Sequence, residues 1–390
     1  MAEGRTEISD SATIFRRAPG VQFDGLYVHA PFCSGKCAYC DFYSVVAGQE
    51  VHRAFAERLA QEALAVGARV ALPLRTVFIG GGTPTLLNAG LWRQILAALH
   101  EAFDLAALEE FTVEANPETL SPALLDVLTE GGVNRISIGA QSFDSRHLRT
   151  LGRRHSADQT ARAVELARSA GLDNVSLDLI FAVPWQTLAE WDSDLGAALA
   201  LSPQHISCYG LTYEPGTPIS RQVASGELSA CDEAVEAAMY ECTIHRLTGA
   251  GYEHYEISNF ALPGRRCLHN MLYWTGGQWL ALGPGASGYA GGVRWKNAPD
   301  LDAYLSSEGG APLAEVEQLD SDRSFGEQLM LRLRLIEGAS LEWLERRLAP
   351  RRRGVIERFI QDGLLERTRS QLRLTRRGLL LADTVVTDLL

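Results

Sequence analysis

The first half of the chain repeats one pattern, in which a short apolar run is followed by a polar turn and an amphipathic stretch. Apolar residues three and four apart in those stretches indicate helices, and the short runs indicate strands. The predicted strands are Gly25–His29, Thr76–Ile79, Phe111–Glu114, Arg135–Ile138, Val175–Ile180 and His205–Tyr209. The predicted helices include Val51–Val66, Leu91–Phe103, Ser121–Glu130, Thr160–Ala170 and Leu188–Ala200. Consecutive strand–helix units predict a parallel sheet with helices outside it.

Six such units are fewer than a closed barrel of this type contains. We therefore predict an α/β fold built on a partial (β/α)6 barrel, with a doubly wound sheet as the structural alternative. The predicted domains are a flexible arm at 1–22, the barrel at 23–230, a helix with a Gly- and aromatic-rich extension at 231–318, and a C-terminal winged-helix-like domain at 319–390. The last domain rests on predicted helices at Ser321–Leu335, Leu341–Leu348 and Arg353–Asp362, a hairpin within Gly363–Leu374 and a final helix.

Composition narrows the class of protein. The net charge of −12 over 390 residues argues against a general nucleic-acid binder, which normally has a basic face. No apolar run is long enough to cross a bilayer, and the N-terminus lacks the apolar region of a signal peptide. We expect a cytoplasmic protein without a transmembrane segment, and the sequence leaves a homodimer open.

Three of the seven cysteines, Cys33, Cys37 and Cys40, follow the first predicted strand within one short loop. Thiolates hold iron–sulfur clusters, and a cubane needs one ligand for each iron, so three cysteines leave one iron open. Zinc, with a nitrogen ligand such as His29, is the first alternative, and chance proximity is the second. The four scattered cysteines are interpreted as buried apolar residues rather than disulfide partners.

Polar residues recur at the ends of the predicted strands. The glycine-rich loop with Gly81, Gly82 and Thr83 follows the second strand, and its glycines let the backbone approach a ligand closely. Four further polar residues lie at or near strand ends, namely Glu114, Gln141, Arg153 and Asp178. Each of them could make a purely structural hydrogen bond, but together they predict a ligand site at the mouth of the barrel.

The cysteine spacing, preceded by Tyr27-Val-His-Ala-Pro-Phe, resembles the radical SAM superfamily and, within it, the coproporphyrinogen-oxidase-like branch. This resemblance implies a [4Fe–4S] cluster on Cys33, Cys37 and Cys40, with S-adenosylmethionine (SAM) on the open iron. It also implies that the reduced cluster can split SAM. The implied SAM contacts are the loop Gly81, Gly82 and Thr83 for the amino group, Glu114 and Asp178 for ribose or amine, Gln141 for adenosine and Arg153 for the carboxylate. Tyr27 and Tyr39 would line the cluster.

Two features resemble the haem-chaperone members of that branch rather than the oxidases. Phe42 stands where the oxidases carry a further cysteine, and His269-Asn-Met-Leu-Tyr273-Trp274 matches an HNxxYW motif. If this segment is helical, His269 and Tyr273 share one face. The resemblance implies that the chain binds haem near His269, with Cys267 as the alternative ligand, and delivers it to haem-requiring acceptor proteins. The alternative function is oxygen-independent coproporphyrinogen III oxidase.

Overall fold

The structure, a computed structural model, describes residues 10, 11, 14, 22–69 and 73–390. The chain divides into two compact units. Unit 1 comprises Met1–Leu177, Thr212–Ser229 and Gln278–Gln318, and unit 2 comprises Asp178–Leu211, Ala230–Gly277 and Leu319–Leu390. Apart from residues 10, 11, 14 and 22, the arm predicted at 1–22 lies outside the described residues, and the other domain bounds stay predictions.

The strands alternate with helices in the first half of the chain and cluster in its second half. They are β1 Gly25–Ala30, β2 Thr76–Gly81, β3 Glu110–Ala115, β4 Arg135–Gln141, β5 Asn174–Phe181, β6 His205–Gly210, β7 Glu253–Glu256, β8 Asn259–Ala261, β9 Trp279–Leu282, β10 Ser287–Ala290, β11 Val293–Asn297, β12 Leu313–Gln318, β13 Ala339–Ser340, β14 Leu365–Arg367 and β15 Gln371–Leu374. The six predicted strands are found as β1–β6.

The helices are α1 Gln49–Gly67, α2 Ala89–Ala102, α3 Pro122–Glu130, α4 Ser145–Thr150, α5 Ala157–Ser169, α6 Leu188–Ala200, α7 Pro218–Ala224, α8 Glu233–Gly249, α9 Leu268–Thr275, α10 Leu301–Ser306, α11 Ser321–Leu333, α12 Leu341–Glu345, α13 Pro350–Gln361, α14 Arg376–Leu380 and α15 Ala382–Leu389. Capping side chains determine where several of these helices begin. Asn88 caps α2, and capping boxes at Ser156 and Thr187 begin α5 and α6, because each side chain accepts from a backbone N–H that has no helical partner.

Within unit 1 the strand order is β12-β11-β10-β9-β1-β2-β3-β4. β1 to β4 are parallel, and β1 is also parallel to β9, whereas β10 to β12 form antiparallel pairs. The sheet is thus mixed and not closed, which confirms the predicted α/β class and the open barrel. Because β1 to β4 run in one direction, the loops after them emerge at one edge.

A buried carboxylate joins distant segments of unit 1. Glu62 on α1 accepts hydrogen bonds from the N–H of Gly283 at 3.0 Å and the hydroxyl of Tyr304 at 2.8 Å. It also accepts from the hydroxyl of Ser11 at 3.2 Å and the N–H of Ala311 at 3.1 Å. Burial raises the pKa of Glu62, although the hydrogen bonds from Gly283, Tyr304 and Ala311 and the charge of Arg58 oppose the shift. The interactions hold four separate chain segments against α1.

Unit 2 contains the strand order β6-β8-β7, with antiparallel pairing, and the C-terminal helices. The C-terminal part packs around a core of apolar side chains that includes Leu329, Leu333, Ile356 and Leu372, all fully buried. A small sheet of order β13-β15-β14 lies against these helices. Helices with a small hairpin are what the sequence predicts for this region.

Unit 2 also carries a histidine that makes stability depend on pH. Burial, reinforced by the charge of Arg376, lowers the pKa of His254 to about 4. The ring stacks on Phe260 at 4.4 Å, and its Nε2 lies 3.2 Å from the carbonyl of Ile257. Between pH 6.5 and about 4 the unfolded chain therefore binds a proton that the folded chain does not. The stabilisation is complete above pH 6.5 and is lost as the pH falls.

We expect His254→Gln to weaken this pH dependence. The linked free energy is about 3 kcal/mol at most, so the thermal midpoint of the wild type should fall more between pH 7.5 and pH 5 than that of the variant. The matched control is His245→Gln on α8, where the side chain is exposed. Equal pH slopes for the wild type and His254→Gln would contradict the assignment.

Candidate functional site

The loop that follows β1 carries the three clustered cysteines and is closed by backbone hydrogen bonds. The N–H of Cys33 donates to the carbonyl of Val45 at 3.0 Å, and the N–H of Val45 donates to the carbonyl of Pro31 at 2.7 Å. The N–H of Ala38 reaches the carbonyl of Leu151 at 3.0 Å, which fixes the middle of the loop. All three cysteines are half-buried free thiols.

The three thiols lie close enough to influence one another. Burial raises the pKa of Cys40, and the negative charges of Cys37 and Cys33 raise it further, while a hydrogen bond from the backbone of Phe42 and the charge of Lys36 oppose the shift. Repulsion of this kind favours a bound metal, which replaces the thiol protons. Three soft sulfur ligands on one loop fit an iron–sulfur cubane with one open iron.

The geometry around His29 disfavours the zinc alternative. Its Nε2 lies 2.9 Å from the carbonyl of Tyr43, which can only accept, so Nε2 carries the proton. Its Nδ1 lies 3.1 Å from the hydroxyl of Tyr27 and accepts from it. Burial lowers the pKa of His29, which favours this neutral form. In this arrangement His29 has no lone pair left for a zinc ion.

The glycine-rich loop after β2 packs directly on the cysteine loop. The N–H of Gly82 donates to the carbonyl of Ala30 at 2.9 Å, and that of Thr83 donates to the carbonyl of Phe32 at 2.6 Å. Gly81 has a φ of +103°, and a Cβ there would lie 2.4 Å from the ring of His29. Only glycine combines this backbone conformation with so close an approach.

A hydrogen-bond network links the cysteines to two neighbouring strands. Arg153 donates from one terminal nitrogen to Sγ of Cys37 at 3.5 Å, and from the other to Oδ1 of Asn116 at 2.6 Å. Nδ2 of Asn116 donates to the hydroxyl of Thr83 at 3.1 Å, and that hydroxyl lies 3.7 Å from Sγ of Cys33. The network brings two predicted site residues, Thr83 and Arg153, to the cysteine loop.

Asn116 is a site residue that the sequence analysis missed. It stands two residues after Glu114, directly after β3, where a polar side chain followed by proline marks the end of a strand. Its position at the same edge of the sheet as the predicted site residues is the sequence signal that could have identified it.

Glu114 and Gln141 lie at the ends of β3 and β4. Glu114 accepts a hydrogen bond from the N–H of Gly81 at 3.1 Å. Gln141 has a φ of +62°, which is unusual for a residue other than glycine, and such strain concentrates at functional sites. A Cβ on Gly139 would lie 2.8 Å from the amide nitrogen of Gln141, so the side chain folds back over its own strand.

The two tyrosines predicted to line the cluster also lie in unit 1. Tyr27 stacks on Phe78, with ring centroids 6.2 Å apart, and its hydroxyl is held by His29. Burial lowers the pKa of Arg153, but the negative charges of Tyr39 and Cys37 outweigh burial, and the net pKa is raised. Tyr39 is thus near enough to Arg153 to act on its charge.

Asp178 and His269 belong to unit 2. Asp178 is half-buried in β5, and its charge adds to the burial that raises the pKa of Cys208. The HNxxYW segment lies in α9 and is therefore helical. His269 is fully buried, and its Nε2 lies 2.8 Å from the hydroxyl of Tyr273. Cys267, also buried, precedes α9, and its N–H donates to the hydroxyl of Tyr255 at 3.4 Å.

Comparison with known proteins places this architecture in a family. Residues 27–196 match the radical SAM superfamily, and residues 321–381 match the HemN C-terminal domain. The heme chaperone HemW of Mycobacterium tuberculosis is 39% identical over 95% of this chain and 96% of its own length. The chain belongs to the HemW family of radical SAM proteins. The heme chaperone HemW of Bacillus subtilis is 34% identical over 92% of the chain and 97% of its own length.

A solved structure supports the fold of this HemW family member. Coproporphyrinogen III oxidase (HemN) from Escherichia coli, a radical SAM enzyme, superposes with a TM-score of 0.84 over 97% of this chain and 92% of its own. The sequence identity is 22%, so the likeness concerns the fold alone. Membership of the superfamily implies a [4Fe–4S] cluster and SAM. Within the described residues, no helix has the length and apolar character needed to span a membrane.

Proposed function

We propose that this protein is a haem chaperone, which binds haem and passes it to haem-requiring acceptor proteins while holding a [4Fe–4S] cluster and SAM. The observation that carries the proposal is the 39% identity to the heme chaperone HemW over almost the full length of both chains. Phe42, whose side chain is 69% exposed in the cysteine loop, supports it, because the oxidases have a cysteine at that position.

The residues of unit 1 have the chemistry to hold the cluster and SAM. Cys33, Cys37 and Cys40 would bind three irons, and the open iron would bind SAM, whose reductive cleavage is the chemistry the cluster supplies when bound. The Nε of Arg153 is buried without a hydrogen-bond partner in the described part of the chain, which leaves a donor for the SAM carboxylate. Gly81, Gly82 and Thr83 would receive the amino group.

The remaining assignments extend this SAM site. Glu114 and Gln141 stand at the same edge of the sheet as the cysteine loop and would hold the ribose or amine and the adenosine, respectively. Tyr27 and Tyr39 would line the cluster. We assign Asp178 to the ribose or amine of SAM on the basis of its match to the family motif.

His269 is the proposed haem ligand. An imidazole is a common axial ligand of haem iron, but Nε2 of His269 is hydrogen-bonded to Tyr273. Ligation by Nε2 therefore requires the tyrosine hydroxyl to move away, so the hydrogen bond opposes haem binding. His269 and Tyr273 then have opposite expected effects.

We expect His269→Ala to weaken haem binding about tenfold or more, because an iron ligand is lost. Tyr273→Phe should strengthen it about fivefold, because one hydrogen bond of about 1 kcal/mol no longer competes. The measurement is a haem titration of cluster-loaded protein followed by the Soret band. His245→Ala, an exposed histidine of the same unit, is the control for adventitious ligation.

Unchanged affinity in His269→Ala would contradict the ligand assignment. A loss confined to Cys267→Ser would transfer the assignment to the thiol. Robust anaerobic conversion of coproporphyrinogen III to protoporphyrinogen IX by the reconstituted protein with SAM would overturn the chaperone function in favour of the oxidase. Transfer of bound haem to an apo-haem protein would support the chaperone.

A further inference from the structure

In the network around Asn116, the donor and the acceptor of each hydrogen bond can be assigned. A guanidinium can only donate hydrogen bonds, so the atom of Asn116 that faces Arg153 must be Oδ1. The amide nitrogen then faces Thr83 and donates to its hydroxyl oxygen. Since this oxygen accepts from Asn116, the hydroxyl proton of Thr83 is free to point elsewhere.

The two hydrogen-bond partners of Asn116 each lie next to a cysteine sulfur. Sγ of Cys33 lies 3.7 Å from the hydroxyl of Thr83, and Sγ of Cys37 lies 3.5 Å from a terminal nitrogen of Arg153. A cysteine that binds iron has lost its proton and can only accept. With the cluster bound, both sulfurs therefore receive a donor, and Asn116 holds both donors in place. The carbonyl of Gly139, 2.9 Å from Arg153, supports the same orientation of the guanidinium.

We infer that Asn116 is a positioning residue that sets the reduction potential of the cluster through these two hydrogen bonds. This inference rests on the proposed cluster site. Donors aimed at cluster sulfurs favour the more negative, reduced state and so raise the potential. In the described part of the chain Asn116 hydrogen-bonds to neither sulfur, and its effect passes through Thr83 and Arg153.

The test uses the full chain, reconstituted anaerobically with iron and sulfide and without SAM. The readout is an EPR-monitored redox titration. In Asn116→Ala we expect the ratio of reduced to oxidised cluster at a fixed potential to fall about tenfold, which for one electron is a shift of about 59 mV to more negative values. Thr83→Val, which lacks the hydroxyl, should shift the potential in the same direction by a smaller amount.

A double-variant cycle separates positioning from a local disturbance. If Asn116 acts partly through Thr83, Thr83→Val should have less effect in the Asn116→Ala background than in the wild type. The control is Thr119→Val, which removes a hydroxyl that binds Thr85 and the backbone of Asn116 but contacts no cysteine in the described structure. Its potential should equal that of the wild type.

The outcomes distinguish this inference from the proposed function. A wild type that takes up no cluster would overturn both. Loaded Asn116→Ala and Thr83→Val proteins with wild-type potentials would overturn the inference and leave the cluster site intact. If Asn116→Ala loads poorly, Thr83→Val decides alone, and an unchanged potential in it contradicts the inference.

Discussion

We expect alanine at any one of Cys33, Cys37 and Cys40 to abolish cluster binding. Two thiolates on one loop cannot hold three irons, so we expect iron and acid-labile sulfide to fall below about one tenth of the wild-type content after anaerobic reconstitution. The brown charge-transfer absorption should disappear with them. Iron analysis and the visible spectrum measure the effect directly.

Cys242→Ala is the matched control for these variants. Cys242 is a half-buried free thiol on α8, 3.6 Å from the carboxylate of Asp192, and the proposed cluster site does not include it. We expect it to load like the wild type. Full iron content in any one of the three loop variants would remove that cysteine from the ligand set.

Gly81→Ala should strongly destabilise the glycine-rich loop. The φ of +103° is strained for alanine, and its Cβ would lie 2.4 Å from the ring of His29. His29 holds both Tyr27 and Tyr43, so a shift of the ring disturbs the cysteine loop. We expect a loss of about 3 kcal/mol or more in the free energy of unfolding, together with weaker cluster loading.

Gly132→Ala separates the two causes. Gly132 has a φ of +87°, but among the described residues no atom beyond its two chain neighbours lies within 4 Å of its hypothetical Cβ. It should lose only about 1 kcal/mol, from backbone strain, and load the cluster normally. Thermal unfolding and iron content are compared for both variants. Equal losses in the two would show that contact with His29 contributes nothing.

The alternation of strands and helices was predictable because it depends on local periodicity. β1 to β6 lie within a few residues of their predicted positions, and the segment His269 to Tyr273 is helical, so both side chains share one face. β9 was missed. It is a short strand in a Gly-rich stretch, and it exists because Trp279–Leu282 pairs with β1, which no local pattern records.

In the candidate site, too, local features could be predicted from the sequence and long-range contacts could not. The cysteine motif is contained in one short loop, so its spacing could be read directly from the sequence. Asn116 could not be found in that way, because its partners Thr83 and Arg153 come from other loops and meet it only in the folded chain.

The parallel pairing of β1 with β9 has a consequence for synthesis. Leu26, in the strand that leads into the cysteine loop, pairs on one side with Val77 and on the other with Leu280. During translation the cysteines emerge before β9, so β1 can pair only with β2 and stays an edge strand until Trp279–Leu282 has been made. We therefore expect iron to be inserted after synthesis rather than during it. A nascent chain halted before Trp279 should expose the three thiols to oxidation.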